Sequence, residues 1–344
     1  MKKKTIALTW WWTGGHIFPL VSIYNYLEEE NNYNFIWIWE EWELEEEIAD
    51  KNDIAFYHIA TWKIRRYFDW RNFYEPLKNL TGFFQWFYYI WKYKVDIVFS
   101  KWGFVSLPLC FAAKLMWKKI YIHESDTVSW LANKLVWKLA TKIFYTFPKE
   151  DIEKKAKITG QILNSELIDW LKDLKVDENK KLKVLVIGWS QGSTIIFKSL
   201  LKIIPDLKNI DFEVILWTKN LEFRKQFEKF KNIKIYDFVS QRKLWKIYKQ
   251  TDIAITRWWA TTLWELYYFG IHSLIIPLKS SAWDHQTKNS NFFNKNFWSD
   301  IFNENLKLEL ELFRKLKKYE TLRKNSLNLN WFFDALKIIK KEIK

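Results

Sequence analysis

TGGHIFP, residues 13–19, and GWSQGS, residues 188–193, each follow an apolar run and precede a helix-like one. At a helix N-terminus the unpaired backbone N–H groups and the dipole attract anions. Gly14 and Gly15 let the backbone approach a ligand closely. Gly188, Gln191 and Gly192 do the same in the second turn, where Ser190 adds a hydroxyl. Either turn alone could be a plain tight turn; two in one chain point to a nucleotide-type ligand. TRWWATTLWEL, residues 256–266, has the same design. Thr261 or Thr262 can cap its helix, and Glu265, about one turn in, can accept two hydroxyl hydrogen bonds from a ribose, or simply be a solvated helix glutamate. SAWDHQTKNS, residues 281–290, gathers Asp284, His285, Gln286 and Asn289 after a strand end, where ligands sit in open α/β sheets. His16 and His285 can also be ordinary turn-stabilising side chains. HESD, residues 123–126, ends a further strand with polar or charged groups in a row, which suits a site better than a core.

Strands and helices must alternate to place these turns. Apolar, β-branched runs at 4–9, 34–38, 53–59, 95–100, 119–124 and 142–147 read as strands, and 73–93 and 107–116 as helices between them. The pattern restarts after the lysine-rich stretch 164–182, with strands at 183–188, 212–217, 233–238, 252–256 and 273–277 and a helix from about 193. The final WFFDALKIIKKEIK is amphipathic. Short apolar strands separated by helix-length segments mean βαβ units and parallel sheets. The expected fold class is therefore α/β, as two Rossmann-like domains facing a cleft. Their expected limits are 1–163, joined by the C-terminal helix 331–344, and 164–330.

The composition narrows the function classes. With 49% hydrophobic and 28% charged residues the chain can bury a real core. Its longest apolar run, residues 83–91, is shorter than the ~20 residues needed to span a bilayer. MKKKTIALTWWW resembles a short secretory signal, but no small-residue cleavage site follows, so it reads as a buried first strand. The single cysteine, Cys110, excludes an internal disulfide, fits a reducing compartment and reads as a small core residue. The net charge of +15 suggests a polyanionic partner: nucleic acid, an anionic membrane face or a phosphorylated substrate. The lysines are dispersed, and Lys, Asn, Ile, Phe and Tyr all have AT-rich codons, so charge argues weakly for nucleic acid.

TGGHIFP, SKWGFVSLP, HESDTVSWLANK, GWSQGS, RWWATTLWEL and DHQTKNS, in this order and spacing, resemble the undecaprenyldiphospho-muramoylpentapeptide β-N-acetylglucosaminyltransferase family, which forms lipid II in peptidoglycan synthesis. The resemblance runs from about residue 4 to the C-terminal helix. It accounts for an odd composition: 24 Trp against 8 Gly, when glycine ordinarily makes up roughly 7% of residues. The family has glycine where this chain has Trp10, Trp11, Trp12, Trp62, Trp102, Trp130, Trp189 and Trp259. A tryptophan there would fill the phosphate space and cannot take positive φ cheaply. The pattern is that of a gene in which UGA encodes glycine, rendered with UGA as tryptophan. Trp70 falls where the family itself has tryptophan and is expected to be one. The alternative is a genuinely tryptophan-rich chain whose ligand turns are filled.

The resemblance implies the glycosyltransferase B fold and inverting transfer of GlcNAc from UDP-GlcNAc to the C4 hydroxyl of lipid I, with no metal or other cofactor. By motif position, Ser190 would contact the donor diphosphate. Ala260, Thr261, Thr262, Leu263 and Trp264 would face the nucleotide, Glu265 the ribose, Val239 the uracil through its backbone, and Gln286 the GlcNAc hydroxyls. Thr13, Gly14 and Gly15 would approach the diphosphate and acceptor, Asp126 would line the cleft, and His16 would be the base, since imidazole titrates near neutral pH. A donor-contacting arginine of the family is Asn164 here, which should weaken donor binding. Residues 65–93 combine basic and aromatic side chains suited to lying on an anionic membrane face. The expected location is peripheral, on the cytoplasmic side of the cell membrane, with no nucleic-acid partner. Other readings are a different lipid glycosyltransferase or a UDP-GlcNAc 2-epimerase of the same fold, and, outside enzymes, a basic nucleic-acid-binding protein.

Overall fold

The computed structural model describes residues 3–10, 14–39, 46, 49–50, 52–59, 71–101, 106–127, 136–149, 152–164, 167, 181–188, 194–257, 259–278, 285–297, 299–305, 307–321 and 334–344. They fall into two compact units, Met1–Ser165 with Phe333–Lys344, and Glu166–Phe332.

In unit 1, β1 (Lys4–Trp10), β2 (Tyr33–Trp39), β3 (Ala55–His58), β4 (Val95–Lys101), β5 (Lys119–Glu124), β6 (Lys142–Tyr145) and β7 (Ala156–Ile158) form one parallel sheet in the order β3-β2-β1-β4-β5-β6-β7. Parallel neighbours need crossovers, supplied by α1 (Gly14–Glu28), α2 (Arg71–Lys92) and α3 (Ser106–Leu115). Sheets covered on both faces need strands apolar throughout rather than alternating, and Ile97, Val98 and Phe99 on β4 are all buried, as are Ile120, Tyr121 and Ile122 on β5. The candidate signal segment is thus the strand β1, paired on both sides.

Two strands were not foreseen. β7 (AKI) and, in unit 2, β13 (SDI) carry no apolar run of their own; pairing with β6 and β12 makes them strands. β6 stops at Tyr145 rather than 147, and β3 begins at Ala55 because Asp53 has positive φ.

In unit 2, β8 (Lys183–Ile187), β9 (Asp211–Ile215), β10 (Ile233–Tyr236), β11 (Ile253–Thr256), β12 (His272–Ile275) and β13 (Ser299–Ile301) pair in parallel in the order β10-β9-β8-β11-β12-β13. Its main helices are α4 (Thr194–Ile203), α5 (Gln241–Gln250), α6 (Ala260–Tyr268), α7 (His285–Asn296) and α8 (Leu308–Thr321). The last helix, α9 (Ala335–Ile343), returns to unit 1. Its Leu336, Ile339 and Ile343 enter that core, and Asp334 caps it by accepting from the Lys337 N–H at 3.0 Å. Glu342 pairs with Lys142 and Lys157, each at 2.8 Å, and Lys340 with Glu30 at 2.7 Å.

Two tryptophans hold glycine-type backbone. Trp117 (φ 58°) follows α3; its N–H bonds to Lys114 O and that of Lys118 to Ala113 O. This is the Schellman closure, whose left-handed residue is usually glycine. After α6 the same pair of bonds is made by Gly270 and Ile271, with Gly270 at φ 72°. Trp217 (φ 58°, ψ 161°), after β9, borders a region that only glycine visits freely.

Candidate active site

In both sheets the strand order reverses beside the first strand of the unit, between β1 and β4 and between β8 and β11. Ligands of doubly wound folds bind at the carboxyl ends of strands at such a point. The motifs cluster there. In unit 1, α1 opens at Gly14, four residues after the end of β1 at Trp10, so Gly14, Gly15 and His16 belong to its first turn. Thr13 lies outside the described residues.

Beside this turn, β4 ends at Lys101, which pairs with Trp10, and β5 ends at Glu124, followed by Ser125 and Asp126. Lys101 and Glu124 are fully buried and Ser125 nearly so; Asp126 is half-buried and its backbone N–H donates to Glu124 Oε1 at 3.2 Å. Among the described residues the Lys101 ammonium, the Thr9 hydroxyl and the Ser125 hydroxyl have no hydrogen-bond partner. Burial pulls the Lys101 amine down to about 7, against the fields of Asp126 and Glu124. His123 Nε2 lies 3.2 Å from Gly160 O and 3.4 Å from the Thr146 hydroxyl. Sequence reasoning passed over Lys101, although a charged residue ending the apolar run VDIVFSK was a visible signal. Asn164 lies at the end of unit 1, half-buried.

In unit 2, Val239 follows β10 and is buried, α6 starts at Ala260 just beyond β11, and Gln286 is the second residue of α7, beyond β12. Ser190 lies outside the described residues. Within α6, Thr261 is half-buried and Thr262 buried, while Leu263 and Trp264 turn into the core. The Trp264 ring meets Phe293 at 5.4 Å and Phe297 at 5.5 Å. Glu265 is buried against α5, where it accepts from the Tyr248 hydroxyl at 3.3 Å, and burial lifts its carboxyl to about 7. A carboxyl held there can donate or accept toward hydroxyls near neutral pH.

Arg257, just after β11, was also missed. It is 1% exposed, donates to Ile276 O at 2.9 Å and pairs with Glu304 at 2.5 Å. Its Nε and Nη2 have no partner among the described residues, at the sheet edge where the α6 turn begins. The structure thus gathers Val239, Ala260–Glu265 and Gln286 at one edge of unit 2, and the TGGH turn and Asp126 at one edge of unit 1.

Comparison with known proteins gives the family. Residues 6–145 match the glycosyltransferase family 28 N-terminal domain and residues 183–330 its C-terminal domain. A UDP-N-acetylglucosamine--N-acetylmuramyl-(pentapeptide) pyrophosphoryl-undecaprenol N-acetylglucosamine transferase of Clostridium perfringens (strain SM101) is 31% identical over 338 residues, 95% of this chain and 93% of the relative. The transferase of the same name from Clostridium botulinum (strain Langeland) is 33% identical over 331 residues, 94% of this chain and 92% of the relative. The structure of Acinetobacter baumannii MurG superposes with a TM-score of 0.78 at 21% identity, covering 99% of both chains. UDP-GlcNAc 2-epimerase from Neisseria meningitidis, bound to UDP-GlcNAc, gives 0.68 at 14% identity, again over 99% of both. These structural likenesses bear on the fold; the sequence relatives separate the transferase from the epimerase.

Proposed function

The chain belongs to the UDP-N-acetylglucosamine--N-acetylmuramyl-(pentapeptide) pyrophosphoryl-undecaprenol N-acetylglucosamine transferases of glycosyltransferase family 28, and on that premise we propose that it transfers GlcNAc from UDP-GlcNAc to the C4 hydroxyl of lipid I, forming lipid II. Its fold is of the glycosyltransferase B type. The observation that carries the reading is kinship of 31–33% along almost the whole chain, joined to helices α1, α4 and α6 that begin after the carboxyl ends of β1, β8 and β11.

In this reading residues 164–330 hold the donor. The turn containing Ser190 receives the diphosphate, the start of α6 at Ala260–Trp264 faces the nucleotide, Glu265 takes the ribose, the Val239 backbone the uracil and Gln286 the sugar hydroxyls. Arg257 is buried at the same edge and is a cation near the donor despite Asn164. Residues 1–163 with 331–344 hold the acceptor, with Thr13, Gly14, Gly15 and Asp126 around it. His16 takes the proton of the attacking hydroxyl as the O–C1 bond forms. The C1–O bond to the diphosphate breaks with its electron pair, and UDP leaves with inversion at C1. Helix N-termini and backbone N–H groups stabilise that charge without a metal.

Membrane docking is assigned to α2 and α3. Phe84, Tyr88 and Trp91 lie on one exposed face of α2, Phe111 and Leu115 are exposed on the neighbouring α3, and Lys92, Lys114 and Lys118 flank them. An apolar patch rimmed by cations suits the cytoplasmic face of a membrane rich in anionic lipid. Among the described residues no helix is long and apolar enough to cross a membrane.

The test is transfer from labelled UDP-GlcNAc to lipid I or to diacylglycerol. It is run on the chain as its sequence reads and on a form with glycine at positions 10, 11, 12, 102, 130, 189 and 259. The expected result is lipid II from lipid I alone, with the glycine form the active one. Transfer to diacylglycerol, or no transfer by either form, would overturn the reading. His16→Ala is expected to lower kcat by roughly 100-fold or more with both substrates saturating; near-normal turnover would remove it from the role of base.

A further inference from the structure

The two helices assigned above to the nucleotide and the sugar of the donor are joined by aromatic rings. α6 leads from β11 to β12 and packs on β12, while α7 leads from β12 to β13 and packs on β13. Ala260–Glu265 make the first turns of α6, and Gln286 is second in α7. Each helix rests on its own strand, so the spacing of their first turns depends on how the helices meet.

They meet ring on ring. Tyr267 of α6 stacks on Phe297, one residue past α7, with 4.0 Å between centroids and 27° between planes. Trp264 stands edge-on to Phe293 at 5.4 Å and to Phe297 at 5.5 Å, and Phe293 meets Phe297 at 5.2 Å. Trp264, Tyr267 and Phe293 are buried and Phe297 half-buried. The Phe297 N–H bonds to Phe293 O at 2.8 Å, which ties its ring to the helix. At helical spacing this stripe runs back from Phe297 through Phe293 to the buried Asn289 and Ser290, and so to the turn that holds Gln286. On α6 it runs from Tyr267 through Leu263 and Trp264 to Ala260, where the helix starts. A small cavity is lined by Leu263, Tyr267, Phe293 and Phe297 from this seam and by Ser273 and Ser299 from β12 and β13. At that level the helices therefore touch each other more closely than they touch the sheet. Rings make a stiff joint, because they have two side-chain torsions and prefer a few relative orientations.

We propose that Tyr267, Phe293 and Phe297 are positioning residues for the donor: their ring contacts fix the spacing between the nucleotide end of α6 and the sugar end of α7, and thereby how much the GlcNAc ring adds to the binding of its nucleotide. This rests on the transferase reading above. In that reading UDP alone engages α6, Val239 and the Ser190 turn, and UDP-GlcNAc reaches Gln286 as well. A shift of α7 against α6 weakens the sugar contacts and spares the nucleotide. Tyr267, Phe293 and Phe297 keep their identity however the tryptophan codons are read. Trp264 does not, so it is left unchanged in the test.

The experiment compares the UDP-GlcNAc KM with the inhibition constant of UDP, at saturating lipid I, in whichever form of the protein is active. The variants are Phe297→Leu, Tyr267→Leu, the two together, and Phe297→Tyr, with thermal unfolding read alongside. Each leucine variant should raise the UDP-GlcNAc KM about fivefold, the worth of one sugar hydrogen bond, and leave the UDP constant within about twofold. Both changes break the same stack, so the double variant should be little worse than either single one. Phe297→Tyr, which keeps a ring, should bring the KM back. Folded leucine variants with the parent KM would overturn the proposal. So would equal rises of both constants, which would mean that the rings only support α6, or a Phe297→Tyr as impaired as Phe297→Leu. If Tyr267→Leu does not fold, Phe297→Leu reads the same stack from its half-buried side. A Phe297→Leu that also failed to fold would make the stack part of the core and remove the positioning role. Absence of transfer by the unmutated protein would instead overturn the transferase reading, and this role with it.

Discussion

At the scale of single residues, position 117 joins sequence and structure most directly. A tryptophan 93% exposed at the left-handed end of α3 gains little from packing and bears the steric cost of positive φ. Trp117→Gly is therefore expected to stabilise the chain, by about 1 kcal/mol, in chemical denaturation; a loss of stability would contradict the glycine reading of this position. The codons answer the question independently: UGA at positions 10–12, 102, 130, 189 and 259, with UGG at 70, would mean that the protein made in its own cells carries glycine loops. Mass spectrometry of that protein would show the same as the loss of an indole side chain at each site.

Glu265 is the other residue with a definite sign. Its folded-state pKa, about 7, lies above the ordinary 4.5. The folded state therefore holds a proton that the unfolded state releases, and stability falls as pH rises from about 4.5 through 7, by about 3 kcal/mol. Glu265→Gln should flatten the stability–pH curve across that window, and Glu265→Ala should raise the UDP-GlcNAc KM roughly tenfold if the ribose contact holds. An unchanged slope in the glutamine variant would mean that the carboxyl is not held neutral.

At the scale of elements, α2 has two faces, and the docking proposed above uses the outer one. Trp86 and Ile90 are buried in the unit 1 core, while Phe84, Tyr88 and Trp91 face outward. A soluble helix gains nothing from three exposed aromatic rings on one stripe, and a membrane-docked one does. Tyr88→Glu with Trp91→Glu should leave the melting temperature nearly unchanged and cut binding to vesicles containing anionic lipid at least tenfold. Equal binding of the parent to neutral vesicles would count against the electrostatic part. In unit 2, by contrast, the buried polar elements brace the fold. His272 Nε2 lies 2.7 Å from Asp300, the Tyr319 hydroxyl is 2.9 Å from His272, and Lys315 pairs with Asp300 at 2.7 Å. These partners hold the Asp300 carboxyl down at about 2. That contribution is complete above pH 4 and is lost as pH falls through 2, the opposite direction to Glu265.

At the scale of the whole molecule, the chain finishes in the unit where it began. Leu336, Ile339 and Ile343 are buried against a core whose members outside α9 all precede residue 163. Removing residues 334–344 should destabilise unit 1 by about 5 kcal/mol, from three large apolar side chains at roughly 1.5–3 kcal/mol each, and leave unit 2, with its separate core, unchanged. Calorimetry should show one transition moving down and the other standing still; a common shift would mean that the two cores unfold as one.

Much of this was legible in the one-dimensional chain. Apolar runs such as KIYIHE and DIAIT could only be strands covered on both faces, and their spacing required crossovers, so the parallel α/β class followed from periodicity. The glycine turns and the motif order determined the family because close backbone approach to an anion restricts residue type at the turn itself. What the chain alone left undecided was what depends on neighbours distant in sequence. AKI and SDI became strands only through pairing with β6 and β12. The buried ammonium of Lys101 and guanidinium nitrogens of Arg257 that have no partner among the described residues, and the raised pKa of Glu265, exist only because folding removed water from them. Desolvation is a property of the assembled surroundings, and no local pattern encodes it.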